Sequence, residues 1–229
     1  MILVFDLDDT LYDETTYVKS GFKSVAHFLN LHFKLPEKNI FEELVSELEN
    51  GRGSIFDMVL KKNHIFSKKL VKKCVSVYRL HIPKIKLWNS GANCLKRFKK
   101  RTIYIVTDGN KIVQHNKIKA LGLDKIVKHY YITHRYGLHN AKPSSNCFLK
   151  ICAQEKTVPR EVVYIADNPN KDFIGIKPLG FKTIQVLTGQ YSTIKKPNEY
   201  QAHIKIKSLD ELTEKFILTN FNSNNKQLK

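Results

Sequence analysis

Met1-Ile-Leu-Val-Phe-Asp6-Leu-Asp8-Asp9-Thr10 opens the chain, and the reading of these ten residues decides the fold. Ile2 to Phe5 form an apolar, mostly β-favouring run that stops abruptly at acids, which predicts a buried strand delivering carboxylates to its C-terminal end. Three acids within four positions repel one another. A fold that places them on a rigid strand end needs a counter-charge, most simply a divalent metal. A solvated acidic turn after an edge strand is the competing reading of this stretch taken alone.

Downstream of Thr10 the period becomes helical. Val18, Phe22, Val25 and Leu29 recur behind the acidic start Asp13-Glu14, and Pro36 opens a second helix with Ile40, Phe41, Leu44, Val45 and Leu48 on one face and Gly51 as its stop. Ser54 is the expected cap of a third segment carrying Ile55, Phe56, Val59 and Leu60. Ser67 is the expected cap of a fourth, with Leu70, Val71, Cys74, Val75 and Tyr78 inward before Pro83. Residues 13–88 thus read as a small helical bundle.

From Trp88 helix and strand alternate, the signature of a parallel sheet covered on both faces. The expected order is a helix over 90–100, a strand over 102–107, a helix over 111–121 ended by Gly122, and a weaker strand over 130–133. A helix opened by Pro143, a strand over 162–166, a short helix closed by Gly180 and a fifth strand over 183–187 follow. Ser208-Leu-Asp-Glu211 has capping-box spacing and predicts a last helix carrying Leu209, Leu212 and Phe216. The asparagine-rich tail over 220–229 is expected to be disordered.

The balance of 39 Lys+Arg against 21 Asp+Glu gives +18, which favours anionic ligands by long-range steering. Arginines number only six, however: Arg52, Arg79, Arg97, Arg101, Arg135 and Arg160. Bidentate readers of phosphate and base edges favour arginine, so no specific nucleic-acid partner is expected. Cys74, Cys94, Cys147 and Cys152 form no CxxC pair, and the histidines, His134 and His139 among them, show no zinc spacing; the cysteines read as reduced, buried thiols. With no apolar run of membrane-spanning length and no signal-peptide pattern, a soluble, cytoplasmic protein is expected.

Reactive side chains gather at predicted strand or loop ends: Asp6, Asp8 and Thr10, then Thr107-Asp108-Gly109, then Lys142, then Asp167 and Asp172. In an open parallel sheet those ends share one edge. Asp6 can attack a phosphate monoester as a carboxylate nucleophile, and Asp8, two residues on, can protonate the departing alkoxide and deprotonate the hydrolytic water. Thr107 offers a hydroxyl, the turn through Asp108 and Gly109 offers backbone N–H groups, and Lys142 a fixed positive charge. Asp167 with Asp172 can hold Mg²⁺ beside Asp6. Asp9 alternates away from Asp6 and Asp8 and is expected to be structural.

Taken in order, these residues resemble the haloacid dehalogenase superfamily. Its first motif, DxDx(T/V), is matched by Asp6-Leu-Asp8-Asp9-Thr10, its second by Thr107, its third by Lys142 before Pro143, and its fourth by Asp167 and Asp172. The resemblance implies an α/β fold: a Rossmann-like parallel five-stranded sheet of order 5-4-1-2-3 with an inserted helical cap of the C1 type. The catalytic core would comprise 1–12 and 89–219, and the cap 13–88. It further implies Asp6 as nucleophile, Asp8 as general acid/base, and Mg²⁺ held by Asp6, the main-chain carbonyl of Asp8 and Asp167, with Asp172 behind them. Relatives often carry Gly where this chain has Ala166. Dehalogenating members lack an acid at the Asp8 position, so its presence favours phosphate over halide substrates.

The expected activity is therefore Mg²⁺-dependent hydrolysis of a small phosphorylated metabolite, a sugar phosphate or nucleotide, through an aspartyl-phosphate. A phosphomutase of the same family is the near alternative. A non-catalytic basic protein binding nucleic acid or a protein partner is the distant one. In the cap, Tyr12, Arg52 and Phe56 are candidates to face the leaving group, with Arg52 as a substrate-binding residue; the plainer reading makes Phe56 core and Arg52 solvated.

Overall fold

A computed structural model describes residues 1–221 of the chain. The chain forms two compact units, one made of Met1–Glu14 together with the chain from Lys86 onward, the other of Thr15–Ile85.

The first unit is built on six parallel strands: β1 (Ile2–Phe5), β2 (Ile103–Thr107), β3 (His129–Ile132), β4 (Val162–Ala166), β5 (Lys182–Val186) and β6 (Ile204–Ile206). They lie in the order β3-β2-β1-β4-β5-β6, which is the expected five-strand order with one strand added at the β5 edge. Ile204-Lys205-Ile206 is too short to show a period, and only its parallel pairing with β5 marks it as a strand. All residues of β1, β2 and β4 are buried. Two covered faces explain why these strands read as unbroken apolar runs instead of alternating ones.

One face of the sheet packs Val4, Tyr104 and Tyr164 against Phe148, Ile151 and Phe181. Between strands run α5 (Asn89–Arg97), α6 (Lys111–Ala120) and α7 (Asn146–Gln154), and α8 (Glu214–Phe221) closes the described chain. Three expectations are corrected here. Pro143 does not open α7; it follows a cis peptide bond three residues upstream of the first helical residue. The capping box at Ser208 and Glu211 forms, but on a single 3₁₀ turn, and α8 starts afresh at Glu214. Asn220 and Phe221 belong to that helix, so the expected disorder does not begin at 220; the rest of that expectation, 222–229, lies outside the described residues.

The second unit consists of α1 (Glu14–Phe33), which begins one residue before it, and of α2 (Glu37–Glu49), α3 (Ile55–Lys62) and α4 (Lys68–Leu80). Val18, Phe22, Val25, Leu29, Leu44 and Cys74 form its core, as the helical period requires. Ser67 caps α4 by accepting a hydrogen bond from the Leu70 N–H at 3.1 Å. Ser54 precedes α3 at φ 61, in the left-handed region instead of the extended one a capping residue adopts, and makes no such bond. The four cysteines are free and buried. No helix among the described residues is long and apolar enough to cross a membrane.

Candidate active site

Strand register places the reactive groups. Phe5 pairs with Ile105 on one side and Ile165 on the other, so Asp6 leaves β1 one residue before Asp167 leaves β4 and beside the end of β2 at Thr107. This is where the strand order reverses, and such a reversal opens a crevice at the carboxyl ends of the strands. Asp6, Thr107, Lys142, Asp167 and Asp172 are all buried there.

Lys142 is the hub. Its Nζ lies 3.0 Å from Asp6 Oδ1, 2.7 Å from Asp172 Oδ1 and 3.0 Å from the Tyr164 hydroxyl. Burial opposes its charge, but Asp172 and Asp6 outweigh that and hold its pKa well above the ordinary lysine value. Asp172 is held by the protein on both oxygens: Oδ1 also accepts from the Tyr164 hydroxyl at 3.1 Å, and Oδ2 accepts from the Asn168 N–H at 3.0 Å.

Asp6, Asp167 and Asp172 each bring a carboxylate oxygen within 4.8 Å of the others. Burial, with Asp172 adding to it and Lys142 opposing, pushes Asp6 up to about 7. Burial, then the charges of Asp6 and Asp172, pushes Asp167 up to about 9. The protein alone therefore under-neutralises this cluster. Thr10 donates to Asp167 Oδ1 at 3.3 Å, and no described donor engages Oδ2 of Asp6 or Asp167. Two hard oxygens on an under-neutralised buried cluster suit Mg²⁺.

The pH dependence follows. Both carboxyls titrate higher in the folded chain than the ~3.9 of an unfolded aspartate, so the folded state holds more protons between about pH 4 and 9. The stability of the metal-free protein is greatest below that window and falls as pH rises through it. Thermal melts at one fixed Mg²⁺ concentration, roughly 100 times its Kd at pH 8, should show Tm raised by about 5–10 °C at pH 8 and by much less at pH 5. An equal gain at both pH values would contradict a carboxylate site.

Asp8 stands apart from this cluster. The chain leaves strand geometry after Phe5, so the alternation that would have set Asp8 beside Asp6 does not persist. Its Oδ1 accepts from Lys117 Nζ at 2.7 Å and from the Tyr12 hydroxyl, and its Oδ2 accepts from Gln114 Nε2 at 2.7 Å. Burial works against the ionised form, yet Lys117 and these hydrogen bonds prevail and hold the pKa below the ordinary value. Tyr12 is thus fully buried against Asp8. Asp9 takes a structural place, accepting the Glu14 N–H at 2.9 Å at the start of α1.

Asp108 is expected to offer only its backbone, but its carboxylate is also committed. It accepts from the Thr133 hydroxyl at 2.7 Å, the Lys142 N–H at 3.0 Å and Lys171 Nζ at 2.8 Å. Burial is outweighed by Lys142 and Lys171, which bring its pKa down to about 2. Asp108 thereby ties the loop after β2 to the connection after β3, which carries Thr133 and Lys142, and to the connection after β4, which carries Lys171 and Asp172. Gly109 adopts φ +134, where a side chain is strained and a Cβ would come within 3.1 Å of Gln114.

Arg52 belongs to the helical unit, exposed, on the rim of a concavity of about 330 Å³ floored by Phe22, Phe56 and Tyr78. Phe56 is half-buried there, with ring centroids 6.2 Å from Phe22 and 5.9 Å from Tyr78.

Four site residues escaped the sequence reading: Gln114, Lys117, Tyr164 and Lys171. For the first two a signal existed. Val113, Gln114, Lys117 and Ile118 form the buried face of α6, and polar residues at inward positions of a helix call for a buried partner. Tyr164 within an apolar strand and Lys171 within a polar loop carried no such mark.

A family model described as haloacid dehalogenase-like hydrolase matches residues 1–180. Curated relatives include a glyceraldehyde 3-phosphate phosphatase of Pyrococcus furiosus, 27% identical over 99% of this chain and 96% of that protein. A protein of the same name from Methanocaldococcus jannaschii is 26% identical over 93% and 95%. Among solved structures, the HAD-hydrolase YfnB from Bacillus subtilis bound to magnesium is 19% identical, covers 94% of this chain and 97% of that one, and superposes with a TM-score of 0.65. Because the matched span contains all of the residues that converge on the end of β1, and most of the chain besides, this protein belongs to the haloacid dehalogenase-like hydrolases.

Proposed function

We propose that this enzyme is a Mg²⁺-dependent phosphatase that hydrolyses a small phosphate monoester through a phosphorylated Asp6. What carries this reading is the meeting of one carboxylate nucleophile, one lysine and one hydroxyl at a single sheet edge, Asp6, Lys142 and Thr107, beside an under-neutralised pair of carboxylates.

Asp6 attacks phosphorus, and its paired Lys142 both orients the carboxylate and neutralises a phosphoryl oxygen as charge builds. Thr107 donates its hydroxyl proton to a second phosphoryl oxygen, and the N–H groups of Asp108 and Gly109 are offered to the same group. Asp8, ionised before substrate binds, takes up a solvent proton as substrate enters, gives it to the leaving alkoxide, then withdraws one from the water that cleaves the aspartyl-phosphate. That requires one Asp8 oxygen to exchange a protein donor for substrate, since Lys117, Tyr12 and Gln114 hold both when no substrate is bound. Asp6, Asp167 and the Asp8 carbonyl would hold Mg²⁺, which would supply charge neutralisation to the transferring group.

The names of the curated relatives make glyceraldehyde 3-phosphate the first substrate to try. A panel of phosphorylated metabolites with Mg²⁺ should release inorganic phosphate from triose phosphates foremost, and EDTA should abolish the release. No release from any member of the panel would end the proposal.

A further inference from the structure

We propose that Gln114 is a positioning residue that directs the one proton of the Thr107 hydroxyl to the phosphoryl group; the inference rests on the phosphatase reading above. Gln114 is 2% exposed, and its side-chain nitrogen lies 2.7 Å from Asp8 Oδ2 and 2.7 Å from Thr107 Oγ1.

Donor and acceptor accounting gives the direction of each bond. Asp8 is surrounded by donors, with Lys117 Nζ and the Tyr12 hydroxyl on Oδ1, so it accepts on every side. An amide oxygen placed against it would set two acceptors in contact, and Gln114 must therefore present its NH₂ group. That group has two N–H bonds, one aimed at Asp8 and one at Thr107. Thr107 Oγ1 then accepts, and its single proton points elsewhere. Among the described residues no hydrogen bond takes it. With the amide reversed, Thr107 would spend that proton on Gln114 and turn a lone pair toward the phosphoryl oxygen. Gly109 belongs to the same device, because a Cβ there would crowd the Gln114 side chain at 3.1 Å.

The test compares Gln114→Met, Gln114→Glu, Thr107→Val and the double variant Gln114→Met/Thr107→Val, each checked for folding by thermal melting. The readout is kcat/KM, which reports steps through phosphoryl transfer to Asp6. With p-nitrophenyl phosphate, whose leaving group departs without a proton, only the Thr107 arm counts. Gln114→Met should then lose roughly 10- to 100-fold, the scale for one misaligned oxyanion donor, and the double variant should be no worse than Thr107→Val. Gln114→Glu keeps the shape but sets a second carboxyl against Asp8, and should lose at least as much as Gln114→Met; what a merely structural residue would not move is the dependence of the loss on Thr107 and on the leaving group. With glyceraldehyde 3-phosphate, Gln114→Met should cost a further factor in the Thr107→Val background, through Asp8.

An active wild type with an unaffected Gln114→Met, or losses that multiply in the double variant with p-nitrophenyl phosphate, overturns the role of Gln114 alone. A wild type that releases phosphate from neither compound overturns the phosphatase reading and this inference with it.

Discussion

Asp6→Asn is expected to abolish phosphate release, lowering kcat by at least about 10⁴-fold, because the amide removes the nucleophile itself and not one of several supporting donors. The substitution also carries a signature separate from activity. Asp6 is buried, with its pKa pushed up to about 7 by burial and opposed by Lys142, and it adds to the repulsion felt by Asp167. Removing its charge should therefore leave the metal-free protein at pH 8 as stable as the wild type or more so, while weakening the Mg²⁺-dependent rise in Tm. Thermal melts with and without Mg²⁺ read this directly. Turnover within tenfold of the wild type would remove Asp6 from its role, and a large fall in metal-free Tm would show that it serves packing instead.

Lys142→Met should damage both activity and stability. The methionine fills a similar volume but leaves Asp6 and Asp172 without the cation that lies 3.0 and 2.7 Å from them. Removing one partner of a buried ion pair costs about 3–5 kcal/mol, because the remaining charges stay desolvated. Tyr164 loses the group that donates to its hydroxyl at 3.0 Å, so the damage spreads through the network and will not add simply with changes at Tyr164. At pH 7, Tm should fall by about 6–15 °C, and kcat/KM by roughly 100-fold or more through loss of charge at the phosphoryl group. The destabilisation should be smaller at pH 5, where Asp6 takes up a proton. A variant that melts like the wild type at pH 7 would mean that Asp6 and Asp172 are neutralised by something other than Lys142.

The two substitutions differ in sign for stability although their side chains touch. One removes a charge from an over-negative cluster, and the other removes the cation that balances it. Equal effects on Tm would therefore be informative, since they would place the origin of both in packing and not in electrostatics.

Much of this was legible in the residues before any coordinates. The apolar run Ile2 to Phe5 that stops at Asp6 marks a doubly buried strand, and the same pattern at Thr107 and Asp167 marks two more. Parallel strands share an edge, so acids, a hydroxyl and a lysine at their ends had to meet. The helical period of residues 13–88 was equally plain. Where the reading failed, the physics was local: β6 is three residues long, the capping box at Ser208 supports only one turn, and Asn220 is carried into a helix by the residues before it.

The chain by itself determined which residues end the strands, and hence where Asp6, Thr107 and Asp167 stand, because strand ends follow from hydrophobic patterning. Only the tertiary structure decided what those residues do to one another. Asp8 leaves the plane of alternation and pairs with Lys117 and Gln114 from α6; Tyr164 joins Lys142 to Asp172; Asp108 spends its carboxylate on the connections after β3 and β4. Those pairings depend on distances between segments about 30 to more than 100 residues apart in most cases, and in a buried site distance sets both the strength of a charge pair and the direction of a hydrogen bond.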